Sequence, residues 1–208
     1  MPPTGYRWVG ETEVRRSRFI ATVARADTEA EARAVIASAR AAHPAASHHC
    51  VAYVLEDGGV TTAHTSDDGE PSGTAGVPML SVLTSAGLVN VVAVVTRYFG
   101  GVKLGAGGLA RAYGGSVADA VAAMPRVVRQ VRQVWAVHLP YADAGRVQEE
   151  LRRDGAVVVG VSHDDTGVRL RLTLPSDPAG AIARATRGTA DATPDGVVAV
   201  EVPAPAMP

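Results

Sequence analysis

The sequence predicts an α+β protein built from two domains, residues 1–132 and 133–208. Three observations carry that prediction. Strand-like runs rich in β-branched residues alternate with helix-like runs along the whole chain, which fits neither an all-helical nor an all-strand class. Residues 124–133, MPRVVRQVRQ, break the pattern with a proline and three arginines among valines. Net charge changes sign across this segment, from +2 over residues 1–132 (13 basic, 11 acidic) to −3 over residues 133–208 (7 basic, 10 acidic).

Taken in order, residues 12–24, TEVRRSRFIATVA, alternate loosely and read as a strand. Residues 27–42 read as a helix. Asp27 or Thr28 serves as its N-cap, Glu29 and Glu31 suit its positive end, and Pro44 follows as a stop. Residues 49–55, HCVAYVL, form a second strand, EDGG at 56–59 a turn, and residues 60–64 an antiparallel return. No hydrophobic period runs through SDDGEPSGTAGVP at 66–78, which reads as a loop carrying Asp67, Asp68 and Glu70. Residues 79–86 begin a short apolar helix. The run VNVVAVVT at 89–96 has the continuous β-branched character of a strand buried on both faces. A glycine-rich segment follows, and residues 109–123 read as a helix despite Gly114 and Gly115.

In the second half, residues 134–139 are a strand and residues 143–153 a helix ended by Gly155. Strands at 156–161 and 167–174 are joined through SHDDT. Residues 177–187 form a helix with Ser176 as N-cap and Pro178 in its first turn, and residues 197–202 a last strand. The order βαββαβ is the ferredoxin-like split arrangement. The tail PAPAMP is expected to fray.

Composition limits the function. With 47% apolar and 20% charged residues over 208 positions, the chain is an ordinary globular protein. A net charge of −1 argues against a generally basic nucleic-acid-binding chain and leaves room for a local patch. Cys50 is the single cysteine, so no intrachain disulfide forms and a reducing compartment is expected. No apolar run approaches the ~20 residues of a membrane helix, and the start has no apolar core of signal-peptide length. A cytoplasmic protein with no membrane partner is therefore expected. Lys103 is the only lysine among 20 basic residues, and Phe19 and Phe99 are the only phenylalanines. Residues that run against the background in this way hint at local constraint.

The segment RYFGGVKLGAGGLARAYGG at 97–115 holds seven glycines, Arg97, Lys103 and Arg111, and no acid. It links the strongest strand to a helix. Such a turn exposes backbone N–H groups at a positive helix end, which favours anions, while turn geometry and close packing account for glycines equally well. GAGGLA at 105–110 fits the dinucleotide pattern G-x-G-x-x-A. However, about eight residues separate it from the strand, and no acid follows at the required offset. Lys103 is followed by Leu104, so a phosphate-binding P-loop is excluded. Tyr98, Phe99 and Tyr113 serve either ligand stacking or the core.

The acidic loop and the basic segment flank two short apolar stretches, 77–86 and 89–95. An antiparallel return brings them together, so that Asp67, Asp68 or Glu70 pairs with Arg97, Lys103 or Arg111. The result is either an internal ion-pair network or a polar recognition site. The Lys103 ammonium is expected against one of those carboxylates, or against an anion at the start of the following helix.

Two further chemistries are open. His43, His48, His49, Cys50 and His64 invite a metal reading, but on a strand only His48 and Cys50 share a face. No C-x-x-C or H-E-x-x-H is present, so no metal is expected. A hydrolase would use the acidic loop with His64 as general acid and base. Ser66, Ser72 or Thr74 would be its nucleophile if a base lay within hydrogen-bond reach.

Ser17-Arg18-Phe19-Ile20, HHCVAY at 48–53, SDDGEPSGTAG at 66–76 and VTRYFGGVKLGAGGLARAYG at 95–114 together resemble the YigZ/IMPACT family. The resemblance covers nearly the whole chain. It implies a ribosomal-protein-S5-domain-2-like α/β domain followed by a ferredoxin-like domain similar to one of a translation elongation factor. Eukaryotic relatives regulate translation initiation by competing for a partner of the amino-acid-starvation kinase. What the resemblance implies is therefore a binding protein in the regulation of translation, rather than an enzyme, contacting RNA, the ribosome or a protein partner without a cofactor. The expected binding residues are Asp67, Asp68, Glu70, Arg97, Tyr98, Lys103, Gly105, Gly107, Gly108 and Arg111, all within residues 1–132. The alternative is a hydrolase or phosphate-ester enzyme using the same loop and segment.

Overall fold

The structure, a computed structural model, describes residues 1–205. The chain divides into two units, Met1–Val127 together with the chain from Pro203, and Val128–Val202. The α+β class holds in both.

The first unit runs β1 (Arg7–Val14), β2 (Ser17–Arg25), α1 (Glu29–Ala42), β3 (His48–Asp57), β4 (Val60–Ser66), α2 (Gly76–Ser85), β5 (Val91–Tyr98) and α3 (Ala106–Ala122). Its strands form one antiparallel sheet in the order β1-β2-β5-β3-β4. Side chains of successive strand residues point to opposite faces, and this alternation builds two cores. Phe19, Cys50, Ala52, Ala93 and Val95 face α2 and α3, where they meet Met79, Leu83, Tyr113 and Val117. Val51, Tyr53, Val92 and Val94 face α1. The central strand β5 is buried on both sides, as its continuous apolar, mostly β-branched run requires.

Where a single strand is expected at 12–24, the structure has a hairpin. Arg15 and Arg16 make its turn, with φ of 48° and 67°. A turn of this hand is usually marked by Gly, Asn or Asp, so two arginines concealed it. Thr28, of the two N-cap candidates, caps α1: its hydroxyl accepts from the Glu31 N–H at 3.2 Å. α3 starts three residues earlier than expected, because Gly107 and Gly108 in its first turn weaken the helical signal.

The second unit holds α4 (Tyr141–Arg153), β7 (Val157–Asp164), β8 (Gly167–Thr173), α5 (Pro178–Thr186) and all but the first residue of β6 (Val127–Leu139) and the last of β9 (Ala192–Pro203). The sheet order β7-β8-β6-β9 is that of the ferredoxin-like fold. Val137, Leu139, Val147, Leu151, Leu170, Leu172 and Ile182 form the core between sheet and helices. Residues 127–133, read as a change of character, are the first half of β6. Asp177, not Ser176, caps α5, its carboxylate accepting from the Gly180 N–H at 3.1 Å. The tail does not fray at its start: Pro203 closes β9, and the Ala204 N–H donates to the Arg126 carbonyl at 2.9 Å. Residues 206–208 of that tail lie outside the described residues.

Candidate functional site

The loop between β4 and α2 is tied to the fold by its three acids, each in a different direction. Asp67 accepts from the N–H groups of Gly73 at 2.7 Å, Ala75 at 3.0 Å and Gly76 at 2.8 Å. It thereby caps α2, whose N-cap residue Ala75 offers no side chain of its own. Asp68 accepts from Arg40 of α1 at 2.8 Å and from the His49 N–H of β3 at 2.6 Å. Glu70 is buried, and its Oε1 accepts from Arg97 Nη1 at 2.6 Å and from the Tyr113 hydroxyl at 2.7 Å. The expected pairing of loop acid with segment cation therefore exists, as Glu70 with Arg97.

Burial pushes the Asp67 carboxyl up, but the N–H groups of Gly76, Gly73 and Ala75 outweigh it and hold the group below the usual carboxylate range. A carboxyl depressed in the folded state contributes stability above its unfolded value of ~3.9, which is lost as pH falls through the folded value. Asp67→Asn is expected to cost about 1–3 kcal/mol at neutral pH, because the amide supplies one acceptor oxygen where the carboxylate uses two. Urea melts at neutral and acid pH check this. The variant should lose less stability than the parent between pH ~5 and pH ~3, and equal losses would contradict the assignment.

Around Arg97 the site is built from β2, β5 and α3. Nη2 of Arg97 donates to Ser17 Oγ at 3.2 Å, and the same oxygen accepts from the Gly100 N–H at 3.2 Å. The guanidinium carbon lies 5.4 Å from the ring centroids of both Phe19 and Phe99. His48 Nε2 lies 3.9 Å from Glu70, and His48 Nδ1 lies 2.9 Å from the Asp68 carbonyl. Tyr113 is fully buried, so of its two roles left open the core prevails, with its hydroxyl fixing Glu70.

Other expected site residues are not brought to this cluster. Tyr98 follows Arg97 on a strand, so it points to the opposite face, where its hydroxyl lies 3.2 Å from His43 Nδ1. Lys103 is exposed and has no ion-pair partner among the described residues. Its expected contact with a loop carboxylate does not form, because Asp67, Asp68 and Glu70 are each engaged elsewhere. Arg111 is likewise exposed and without an ion-pair partner among the described residues.

The glycines have separable roles. Gly105 has a φ of 72° where the chain enters α3, and Gly100 lies against the Arg16 carbonyl so closely that a Cβ would overlap it. Gly107 needs neither device: a Cβ there meets only Arg111 Nη1, at 3.6 Å. The first turn of α3 has no side-chain cap and no acid.

Two cavities border this turn. One, of about 290 Å³, is lined by Glu70, Arg97, Phe99, Lys103, Gly105 and Leu109, among others. The other, of about 200 Å³, is lined by Val14, Arg15, Leu104, Gly108, Arg111 and Ala112. Arg15 was missed from sequence because its approach depends on the hidden β1–β2 turn.

The hydrolase and metal residues are dispersed. His48 and Cys50 share a face as alternation requires. His49 turns to Thr96 Oγ1 at 3.0 Å on the other face, His43 bonds Tyr98, and His64 stacks on Tyr53. Among the described residues no three His, Cys, Asp or Glu side chains are grouped to hold a metal. The Cys50 thiol donates to the Asp67 carbonyl at 3.1 Å, and burial pushes it up to about 12, so it holds its proton at neutral pH. Ser66 and Thr74 bond backbone groups, and none of Ser66, Ser72 and Thr74 is hydrogen-bonded to a histidine or carboxylate among the described residues. No helix among the described residues is long and apolar enough to cross a membrane.

Comparison with known proteins places this geometry in a family. Residues 15–121 match the Impact N-terminal domain, and residues 137–188 match a domain of unknown function, DUF1949. The chain is similar to the IMPACT family member YvyE of Bacillus subtilis (strain 168), 46% identical over 143 residues, which are 68% of this chain and 65% of the relative. The match thus spans just under two thirds of that relative's length. It is also similar to the IMPACT family member YigZ of Escherichia coli (strain K12), 39% identical over 79% of this chain and 80% of the relative. A crystal structure of a hypothetical protein aligns over 92% of this chain and 94% of its own, at 32% identity and a TM-score of 0.55. The acidic loop, the glycine-rich segment and the hairpin turn all fall within residues 15–121, and the chain belongs to the IMPACT family.

Proposed function

We propose that this chain is a non-enzymatic binding protein of the cytoplasm, acting in the regulation of translation. In this reading its N-terminal unit contacts the phosphate backbone of RNA, free or within the ribosome. One observation carries the choice of binding over catalysis. The three acids that a hydrolase would use are consumed by internal bonds, whereas four cations around the start of α3 are open. Arg15, Arg16, Lys103 and Arg111 are all exposed, and none has an ion-pair partner among the described residues. Three of them line the two cavities described above. Family membership supports the translational setting, through the eukaryotic relatives that the sequence resembles.

Cations placed around uncapped backbone N–H groups suit phosphate oxygens, and such contacts position a strand without reading its bases. RNA binding measured across a salt series is the test. The affinity should fall steeply with salt, and alanine at Arg15, Lys103 or Arg111 should weaken binding uniformly across sequences while reducing the slope by about 1 each. No RNA or ribosome association at low salt, or turnover in a screen of phosphate esters and peptides, would overturn the reading.

A further inference from the structure

Phe99 follows the central strand β5 directly, yet its side chain is 51% exposed. Its ring lies beside the Arg97 guanidinium, which Glu70 and Ser17 hold in place. The rest of the ring is open, and it lines the cavity of about 290 Å³.

That cavity has two characters. Pro71, Phe99, Leu104, Ala106 and Leu109 give it an apolar lining. Lys103 and the start of α3 give it a positive one. The Leu109 N–H makes the first intrahelical bond, to the Gly105 carbonyl, so the N–H groups of residues 106–108 have no helical partner. Arg97 also lines the cavity, at 4% exposure, and its Nε is a donor without a hydrogen-bond partner among the described residues. The lining therefore has a hydrogen bond still to give.

This combination selects its occupant. A lone phosphate gains nothing from an apolar lining, and an apolar side chain gains nothing from cations. A nucleotide carries both a flat base and an anionic phosphate. In a duplex the base faces are buried in the stack, so only an unpaired base can lie on a protein ring. A free mononucleotide would leave cations unused. The cavity of about 200 Å³ shares Leu104 with the larger one and adds Arg15 and Arg111. Lys103, Arg15 and Arg111 have no ion-pair partner among the described residues, so their charge is available to a ligand. We infer that the RNA held by this unit is single-stranded. One unpaired base stacks on Phe99 in the larger cavity, and flanking phosphates meet Lys103 on one side of Leu104 and Arg15 with Arg111 on the other. This selection presupposes the RNA binding proposed above, to which it adds the form of RNA and the residue that chooses it.

Fluorescence anisotropy of labelled oligoribonucleotides, single-stranded, duplex and abasic, tests this with the full chain. A purely electrostatic surface favours the duplex, whose backbone charge is the denser. The parent should instead bind the single strand more tightly. Phe99→Ala should weaken the single strand about 5- to 150-fold, the usual effect of losing one stacked base. Duplex affinity and the salt slope should not change, because no charge is removed. The abasic strand should bind the parent as the normal strand binds Phe99→Ala. Phe99→Trp should keep the parent's affinity, and its added indole emission should be quenched by the single strand. A folded Phe99→Ala that binds the single strand as the parent does, or a bound strand that leaves the Phe99→Trp emission unchanged, overturns the stacking and leaves RNA binding standing. Adenosine monophosphate binding as tightly as the strand overturns the choice of a strand. No association with any RNA at low salt removes the RNA reading and this inference with it.

Discussion

Arg97→Ala is expected to destabilise the N-terminal unit by about 3–5 kcal/mol, the usual cost of removing one partner of a buried ion pair. The carboxylate of Glu70 is 4% exposed, and without the guanidinium only the Tyr113 hydroxyl remains as a close donor. The lost side chain also vacates the space beside Phe19 and Phe99. Arg97→Lys should recover little, because a point charge cannot reach Glu70 and Ser17 at once as the planar fork does. Replacing both partners, as Arg97→Met with Glu70→Leu, should cost less than either single change, since no buried charge is left alone. Hydrogen exchange of the β5 amides reads the effect in this unit alone. If Arg97→Ala leaves that protection within about 1 kcal/mol of the parent, the pair does not have the energetic role assigned to it.

Gly100→Ala should be nearly as damaging, for a steric reason. A Cβ at Gly100 would overlap the carbonyl carbon and oxygen of Arg16 and come within 2.5 Å of the Ser17 nitrogen. All three are backbone atoms of the β1–β2 turn, so no side-chain rotation relieves the clash. The turn must move, taking Ser17 away from Arg97, at an expected cost of about 3 kcal/mol or more. Two neighbours serve as controls. Gly101 has a φ of 83° with open space around it, so Gly101→Ala should cost only about 1–2 kcal/mol of backbone strain. Gly115 lies within α3 with nothing near its Cβ position, so Gly115→Ala should stabilise the helix by up to ~1 kcal/mol. Equal thermal shifts at all three positions would refute the steric account.

The fold was legible where one local rule decides the outcome. Period-two alternation put His48 with Cys50, and the unbroken Val91–Val95 run marked the central strand. The same rule separates Arg97 from Tyr98, so the two do not share one site. What escaped depends on distant chain. The Arg15–Arg16 turn holds two bulky residues at positive φ, which local propensity argues against, and only packing against Gly100 explains its position. Which acid met which cation was equally beyond local reading. Proximity of loop and segment followed from antiparallel return, but selecting Glu70 over Asp67 required knowing that α2 needs a cap. The rarity of lysine in the composition said nothing about contacts, and Lys103 stands in solvent.

The anchoring of the acidic loop has a consequence for the kinetics of recognition. Its acids fasten it to α2, to α1 and β3, and to β5 and α3, so its disorder has been surrendered during folding. On the proposed binding function, a ligand arriving beside Arg97 and Lys103 would meet a wall already in its final shape. Little ordering entropy remains to oppose association, and encounter approximates the docking of a rigid body. Variants on this wall should then differ mainly in how long a complex lasts, with arrival rates changing chiefly where a surface charge is removed.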